Sequence, residues 1–371
     1  MALNRYRIGA LVSQVDERNN LGIRDFYGLN INKEFMPTAA NTDGLDETNY
    51  KVVRQNRFVY SGMQTGRDEC IRISMYSNEN PILVSPAYTT FEISAQDIVL
   101  PTYFFMRFLS KEKDRYGAFR SDGSIRSNLD WDVFCDIELD LPPLPIQQKY
   151  VDVYNAMLAN QKSYEHGLDD LKLVCDAYID ELKHSKTKVP IGNFILLIDN
   201  RNESNCHYKF KGLSMDNYFI DSIADANELD FSNYKIVAPD EYGAVLMKVG
   251  RDGRLTIAKN NSEENYIISP AYYTFKINNI NSDYFMANVN RSEFERRGWF
   301  SCDTSARGSL PWNEFLNLTI PEANDNEQQI VSKLYKVLLS RTKINEKLKA
   351  QIKNICPILI KGSIEEAGKG A

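Results

Sequence analysis

The sequence predicts an α+β fold: two tandem homologous α/β modules related by a pseudo-twofold axis and separated by two long helices forming an antiparallel coiled coil. Three observations predict it. The chain repeats itself at a nearly constant offset, each copy opens with short strand-like runs, and each copy closes on a long stretch of 3.5-residue periodicity.

The repeat is plainest in ILVSPAYTTFEI (Ile82–Ile93) and YIISPAYYTFKI (Tyr266–Ile277), which lie 184 residues apart. GLNINKEF from Gly28 answers GLSMDNYF from Gly212, NYKVV from Asn49 answers NYKIV from Asn233, and GRD at Gly66 answers GRD at Gly250. IGALVSQVDERN from Ile8 matches IGNFILLIDNRN from Ile191 at a shift of 183. After the SPAY phrase the shift becomes 181. DGSIRSNLDWDVF from Asp122 then matches DTSARGSLPWNEF from Asp303, and Gln147 and Tyr154 match Gln328 and Tyr335. Collinear matches separated by two small indels define a duplicated module.

Within each copy, RFVYSG, PILVSPAYTTFEI, AVLMKVG, LTIA and YIISPAYYTFKI read as strands, being short, β-branched or aromatic, and bounded by Gly, Pro and Asn. The SPAY phrase reads as one buried strand whose Ser-Pro start fixes an edge. Thr102–Arg115 reads as a single helix. Prolines 142, 143 and 145 in ELDLPPLPIQQ mark a boundary. Beyond it Tyr154, Met157, Gln161, Tyr164, Leu168, Leu171, Cys175, Tyr178 and Leu182 alternate spacings of 3 and 4. Val331, Leu334, Leu338, Arg341, Asn345, Leu348, Ile352 and Ile355 repeat the rhythm, the mark of a helix packed along a helix. A helix over 146–184 is roughly 57 Å long, too long to fold back into a small domain. Gln161, Arg341 and Asn345 interrupt the apolar rows and are candidates for fixing register. The predicted boundaries are 1–145 for the first module, 146–186 for a central helix, 187–322 for the second module, 323–356 for a C-terminal helix, and 357–371 for a flexible tail.

Composition narrows the chemistry. Hydrophobic content of 43% and charged content of 25% suit ordinary folded domains. No run approaches the ~20 apolar residues of a membrane span, and MALNRYRIGA lacks a signal-peptide core. Six cysteines are scattered without a CxxC pair, as expected of reduced thiols in a cytoplasmic protein. A net charge of −6 speaks against a protein that coats nucleic acid by itself, but it averages over faces and leaves room for a local basic surface. The three histidines (His166, His184 and His207) form no metal-spaced cluster, and no phosphate-binding glycine loop occurs. LPPLP lacks the Asn or Asp and the aromatic of a base-flipping methyltransferase motif. Pro239–Lys248 superficially resembles a nuclease core, but Leu246 stands where its acid should be. No catalytic residue, metal site or cofactor is therefore expected.

The arginines are more suggestive. Arg67 and Arg251 occupy matching GRD turns, and Arg126 and Arg307 matching turns before Trp131 and Trp312. Arginine suits both guanine edges and phosphates. The alternative, equally open at this point, is that each pairs with a neighbouring Asp or shapes its turn. Tyr88, Tyr272, Phe91 and Phe275 read as core, and the two tryptophans as anchors of module to helix.

Two modules, each closed by LPPLPIQQ-like sequence and a long helix, resemble the specificity subunit of type I restriction–modification systems over the chain to about residue 356. The SPAY strands, GSIRSNLDWDVFCDIELDLPPLPIQQ and the GL…F segments after each DxRN element carry the resemblance. The second copy departs from it at TIPEANDNEQQ, with one proline where the first has three. The resemblance implies that each module is a target-recognition domain reading one half of a split site in double-stranded DNA, with Arg67, Arg126, Arg251 and Arg307 as candidate contacts. It implies that the helices space the halves, ~34–36 Å apart for one helical turn. The spacer seam comprises Tyr154, Met157, Gln161, Leu168, Leu171 and Leu182 on one helix, and Leu334, Leu338, Asn345, Leu348 and Ile352 on the other. It further implies two methyltransferase subunits that flip and methylate adenine, restriction and motor subunits using ATP and magnesium, and no catalysis by this chain. Two other readings remain: a specificity subunit of a related enzyme cutting outside its site, and a duplicated scaffold that binds no DNA.

Overall fold

The computed structural model describes residues 3–39, 41–42, 44–222, 229–247, 249–303 and 308–369. Two compact units emerge, one holding the chain up to Ser163 together with the segment from Asn345 onward, the other Tyr164–Ile344.

The first unit contains strands β1 (Asn4–Arg7), β2 (Val12–Gln14), β3 (Phe26–Leu29), β4 (Phe35–Pro37), β5 (Lys51–Val53), β6 (Phe58–Ser61), β7 (Arg72–Met75), β8 (Ile82–Val84), β9 (Thr89–Ile93) and β10 (Glu138–Leu141). They form an antiparallel sheet in the order β2-β9-β6-β7, a second sheet in the order β4-β3-β8-β5 whose β3–β8 pair is parallel, and a two-stranded β1-β10 ladder. The second unit contains β11 (Lys188–Pro190), β12 (Ile195–Ile198), β13 (Lys209–Leu213), β14 (Phe219–Asp221), β15 (Lys235–Val237), β16 (Tyr242–Val245), β17 (Thr256–Lys259), β18 (Tyr266–Ile268), β19 (Tyr273–Ile277) and β20 (Thr319–Pro321). Its sheets run β12-β19-β16-β17, β14-β13-β18-β15 and β11-β20. Adding ten to each label of the first unit reproduces the second, so the sequence repeat is a repeat of topology.

The cores repeat as well. Phe58 faces Phe91 across β6 and β9, with stacked rings at 5.0 Å, and Tyr242 faces Phe275 across β16 and β19 at 5.2 Å. Both pairs are buried. Cross-strand aromatic pairs of this kind contribute about 0.5–1.5 kcal/mol beyond burial. Phe104 and Phe134 complete the first cluster, and Phe285 and Phe315 the second. Trp131 packs on Tyr60, Phe91 and Phe134, and Trp312 stacks on Tyr273 at 4.5 Å. The tryptophans thus pack within each unit's aromatic core.

Two elements differ from their predicted form. The SPAY phrase is not one strand: β8 and β9 lie in different sheets, joined at a turn where the Tyr88 N–H donates to Ser85 O at 3.1 Å. Pro86 presets the second position of such a turn. Tyr272 and Ser269 repeat the bond at 3.1 Å. The helix foreseen over 102–115 is two, Pro101–Met106 and Lys111–Arg120, because Ser110 turns extended and its hydroxyl accepts the Lys113 N–H at 3.1 Å, capping the second.

The first long helix is Leu144–Ser185 and the second Asp325–Lys369. Pro142 and Pro143 end β10, and Pro145 is tolerated in the helix's first turn, where its missing N–H has no partner to lose. The second helix begins with a capping box: Asn324 Oδ1 accepts the Glu327 N–H and Glu327 Oε2 accepts the Asn324 N–H. Within the first unit Tyr154 and Met157 pack with Ile352, Cys356 and Ile360. Within the second unit Cys175, Ile179 and Leu182 pack with Val331, Leu334, Tyr335 and Leu338. In each unit rising numbers on one helix meet falling numbers on the other, so the packing is antiparallel.

The flexible tail expected at 357–371 is corrected by the structure, since the helix continues through Pro357 to Lys369. Ile360, Ser363 and Ala367 are buried and extend the spacing of the seam, the last two as small residues. Ser363 Oγ pairs with the buried Tyr103 hydroxyl at 2.6 Å, and Glu366 accepts from Lys149 Nζ and the Tyr150 hydroxyl.

A glutamine, buried in the first unit and half-buried in the second, fixes each module to its helix. Gln147 Oε1 accepts the Leu100 N–H at 3.0 Å while its Nε2 donates to Ile98 O at 2.8 Å and Pro142 O at 2.7 Å. Gln328 does the same for Asn281 N–H and Ala323 O, at 2.8 and 2.9 Å. These residues, matched in the sequence repeat, are where loop backbone finds its partners.

Candidate nucleic-acid interface

Arg67 sits on a single helical turn, Thr65–Asp68, flanked by Gln64 at φ 60° and Glu69 at φ 46°. Left-handed backbone at a non-glycine residue is strained, and two such residues around four mark a locus held by its surroundings. The turn is held by the loop that carries Arg126. Gly66 N–H donates to Ser127 O at 3.0 Å, Gln64 N–H to Asn128 Oδ1 at 3.2 Å, and Leu129 N–H to Gly62 O at 2.8 Å. Ser127 is itself left-handed, at φ 49°. A Cβ on Gly66 would lie 2.0 Å from Ser127 Oγ, so only glycine permits this approach. Asp122 closes the loop from inside, accepting from Asn128 N–H at 2.9 Å and from Ser124 Oγ at 2.7 Å.

The second unit builds the same site. Arg251 lies on the turn Val249–Asp252, Gly250 N–H donates to Gly308 O at 2.7 Å, and Leu310 N–H donates to Leu246 O at 2.9 Å. Gly308, at φ 57°, occupies the place of Ser127, and Asp303 Oδ1 accepts the Ser309 N–H at 3.1 Å. Arg307 lies outside the described residues. The Arg67 and Arg126 segments, 59 residues apart in sequence, are thus adjacent in space.

Arg67 donates through Nε to Asp68 Oδ1 at 3.0 Å and through Nη2 to Gln64 Oε1 at 2.7 Å. Arg251 donates to Asp252 at 2.7 Å. The neighbour pairing foreseen as the alternative role therefore exists in both units. It leaves the arginine side chains 58% and 61% exposed, and an exposed pair is worth only about 0.2–1 kcal/mol. Arg67 holds the Asp68 carboxyl below its ordinary range. Arg126 is exposed at its loop tip beside the fully exposed Ile125.

Of the seam residues, Tyr154, Leu182, Asn345 and Ile352 are buried, and Met157, Gln161, Leu168, Leu171, Leu334, Leu338 and Leu348 half-buried. Gln161 Nε2 donates to Asn345 Oδ1 at 3.1 Å, which joins the two polar interruptions across the seam. Arg341 is exposed and lies over Gly167 rather than inside the row.

A helix backs each arginine turn, which sequence reasoning covered only in part in the first unit, within the helix expected over 102–115, and missed in the second. Lys111–Arg120 packs so closely that a Cβ on Gly117 would meet Ile71 Cγ1 at 2.4 Å. Asp114 there accepts the Ile71 N–H at 3.0 Å and pairs with the buried Lys33. In the second unit Trp299 Nε1, on the helix Ser292–Phe300, donates to Gly250 O at 2.8 Å. The available signal was the spacing R-x-G-x-F, present at Arg115 and again at Arg296.

Among the described residues no group of three or more His, Cys, Asp or Glu is placed to hold a metal, and no helix is long and apolar enough to cross a membrane. No family model matches the sequence, and no curated protein matches it. Solved structures do. A type I restriction–modification system S subunit from M. genitalium superposes with a TM-score of 0.55 at 11% identity, over 98% of this chain and 96% of that one. An HsdS subunit from Thermoanaerobacter tengcongensis gives 0.37 at 12% identity, covering 98% and 96%. A chain from a structure of type I R-M complex assembly and conformational transition gives 0.44 at 11%, covering 99% and 97%. On the first of these, the chain has the two-module, long-helix fold of a type I restriction–modification S subunit.

Proposed function

We propose that this chain is the DNA-specificity subunit of a type I restriction–modification complex, with target-recognition domains over 1–145 and 187–322 and the two long helices as spacers. The observation that carries the reading is that the same glycine-dependent arginine turn is built twice, once on each copy of a module whose fold is that of an S subunit. Two copies of one site suit a ligand with two comparable parts, and a split duplex site is such a ligand.

Each domain reads one half-site, with Arg67 and Arg126 in the first and Arg251 and Arg307 in the second contacting bases or phosphates. The long helices set the unread gap and dock methyltransferase subunits. Exposed apolar side chains on them support docking: Val153, Leu158 and Ile358 in the first unit, and Leu173, Val174 and Val337 in the second. The chain itself does no covalent chemistry. Methylation and cleavage belong to partner methyltransferase and restriction subunits in the cytoplasm, and partners closing around the duplex offset the net charge of −6.

The test is selection of random duplexes by the full chain together with a methyltransferase subunit, paired with mapping of adenine methylation in cells with and without the gene. A two-part motif shared by both supports the proposal. No enrichment, or no methylation change on deletion, overturns it in favour of a scaffold that binds other partners.

A further inference from the structure

The helices backing the two arginine turns, Lys111–Arg120 and Ser292–Phe300, and the loops that follow them share residues at a shift of 181, and several of these have internal work. Gly117 lies against Ile71, Asp122 and Asp303 close their loops, and Leu129 and Leu310 are buried in the cores. Phe119 and Phe300 have none: they are 83% and 85% exposed. One turn earlier on the same helices stand Arg115 and Arg296, both exposed and without a hydrogen-bonding partner among the described residues. Residues four apart on a helix are neighbours, so each unit presents a guanidinium and an uncovered ring side by side.

The charge around each pair is cationic in effect. On the first helix Lys111, Lys113, Arg115 and Arg120 face Glu112 and Asp114, and Asp114 is neutralised by Lys33. On the second, Glu293 is paired with Lys183 and Arg297, and Glu295 with Arg254, which leaves Arg296 unopposed. An apolar protein groove would take the ring but not the cation. A nucleic acid takes both, the cation on a phosphate and the ring on the face of a base.

Resting on the DNA reading above, we propose that Arg115–Phe119 and Arg296–Phe300 are two equivalent clamps on double-stranded DNA, each placing its arginine on a phosphate and its phenylalanine against a base step. The neighbouring loops differ between units, with Gly123 and Ile125 in one where Thr304 and Ala306 stand in the other, whereas the pair is kept. What both copies retain reads what both half-sites share, namely backbone and stacked faces, and not the order of bases.

The test uses the full chain with its methyltransferase subunits, an enriched duplex, a scrambled duplex, and 2-aminopurine placed along each half-site. Phe119→Ala is expected to weaken both duplexes by about tenfold, or ~1.4 kcal/mol, and to abolish 2-aminopurine brightening in one half-site only. Phe300→Ala does so in the other, and Phe119→Trp retains binding. Arg115→Ala lowers the salt slope of binding by about one. Unchanged melting temperatures are expected because these side chains are exposed. Unchanged DNA affinity with weaker retention of methyltransferase subunits overturns the clamp in favour of protein docking, and loss confined to the enriched duplex overturns it in favour of base readout. If the unaltered complex binds neither duplex, the DNA reading itself falls.

Discussion

Replacing Gln147 by Ala removes a side chain with no exposure to solvent and three hydrogen bonds. The Leu100 N–H is left without its acceptor just before the helix Pro101–Met106, and the carbonyls of Ile98 and Pro142 lose their donor. A buried group left unsatisfied costs about 1–3 kcal/mol. Carbonyls tolerate the loss better than N–H groups, so the sum is about 3–5 kcal/mol. For a unit of this size, 1 kcal/mol moves the melting temperature by about 2–4 °C, and the expected drop is therefore roughly 6–20 °C. Thermal unfolding followed by circular dichroism measures the drop, and hydrogen exchange locates it, with Leu100 losing protection first. Gln328→Ala, which breaks two such bonds, should cost less and deprotect Asn281 instead. A Gln147→Ala protein that melts within 2 °C of the unaltered chain, or that loses protection evenly, would refute the idea that this amide ties module to helix.

Other outcomes follow from the same geometry. Gly66→Ala forces a Cβ against Ser127 Oγ and should destabilise the first unit by about 1–3 kcal/mol, with Ser127→Gly in the same chain recovering part of it; a chemical denaturation series shows whether it does. Arg67→Ala should weaken or alter recognition of one half-site and Arg251→Ala the other, and equal effects on both halves in a duplex selection would make these arginines structural. Apolar replacement of Gln161 and Asn345 together should raise thermal stability while loosening helix register, and unchanged cross-linking between cysteines placed along the seam would count against a role in alignment. Glu327, bonded to Lys186 and to the Asn324 backbone, and Glu366, bonded to Lys149 and Tyr150, are both held below the ordinary range. A carboxyl lowered on folding adds stability above its unfolded value of about 4.3, and that stability is lost as pH falls through the folded values. Melting temperature should therefore fall as pH drops below about 4.3, less so in Glu327→Gln and Glu366→Gln, in which that contribution is already absent at neutral pH.

The fold was legible in the sequence where periodicity and repetition coincide. Two copies constrain each other, so a noisy strand pattern becomes firm when it recurs, and a long 3.5-residue rhythm has few interpretations. Local punctuation was harder. The SPAY phrase is continuous in hydrophobicity, yet Pro86 presets a turn and sends its halves to different sheets. Ser110 breaks one apparent helix into two because its hydroxyl caps the second. The final turns beyond Pro357 pack in part through the small residues Ser363 and Ala367. At the candidate interface, sequence named Arg67 and Arg126 separately. Their adjacency depends on Gly66 and on left-handed Ser127, a backbone property that residue identity does not announce. The exposure of Phe119 and Phe300 likewise comes only from coordinates, since an aromatic in a helix normally signals core.

The pairing of β1 with β10, and of β11 with β20, brings the first and last strands of each module into one ladder. Arg5 bonds to Asp140 across the first of these at 2.7 Å, with entry and exit side by side. A module with such a doorway can be cut out and replaced by another of different internal length without stretching what lies outside it. Grafts spliced within these ladders, rather than in the loops that flank them, are the exchanges this architecture should accept.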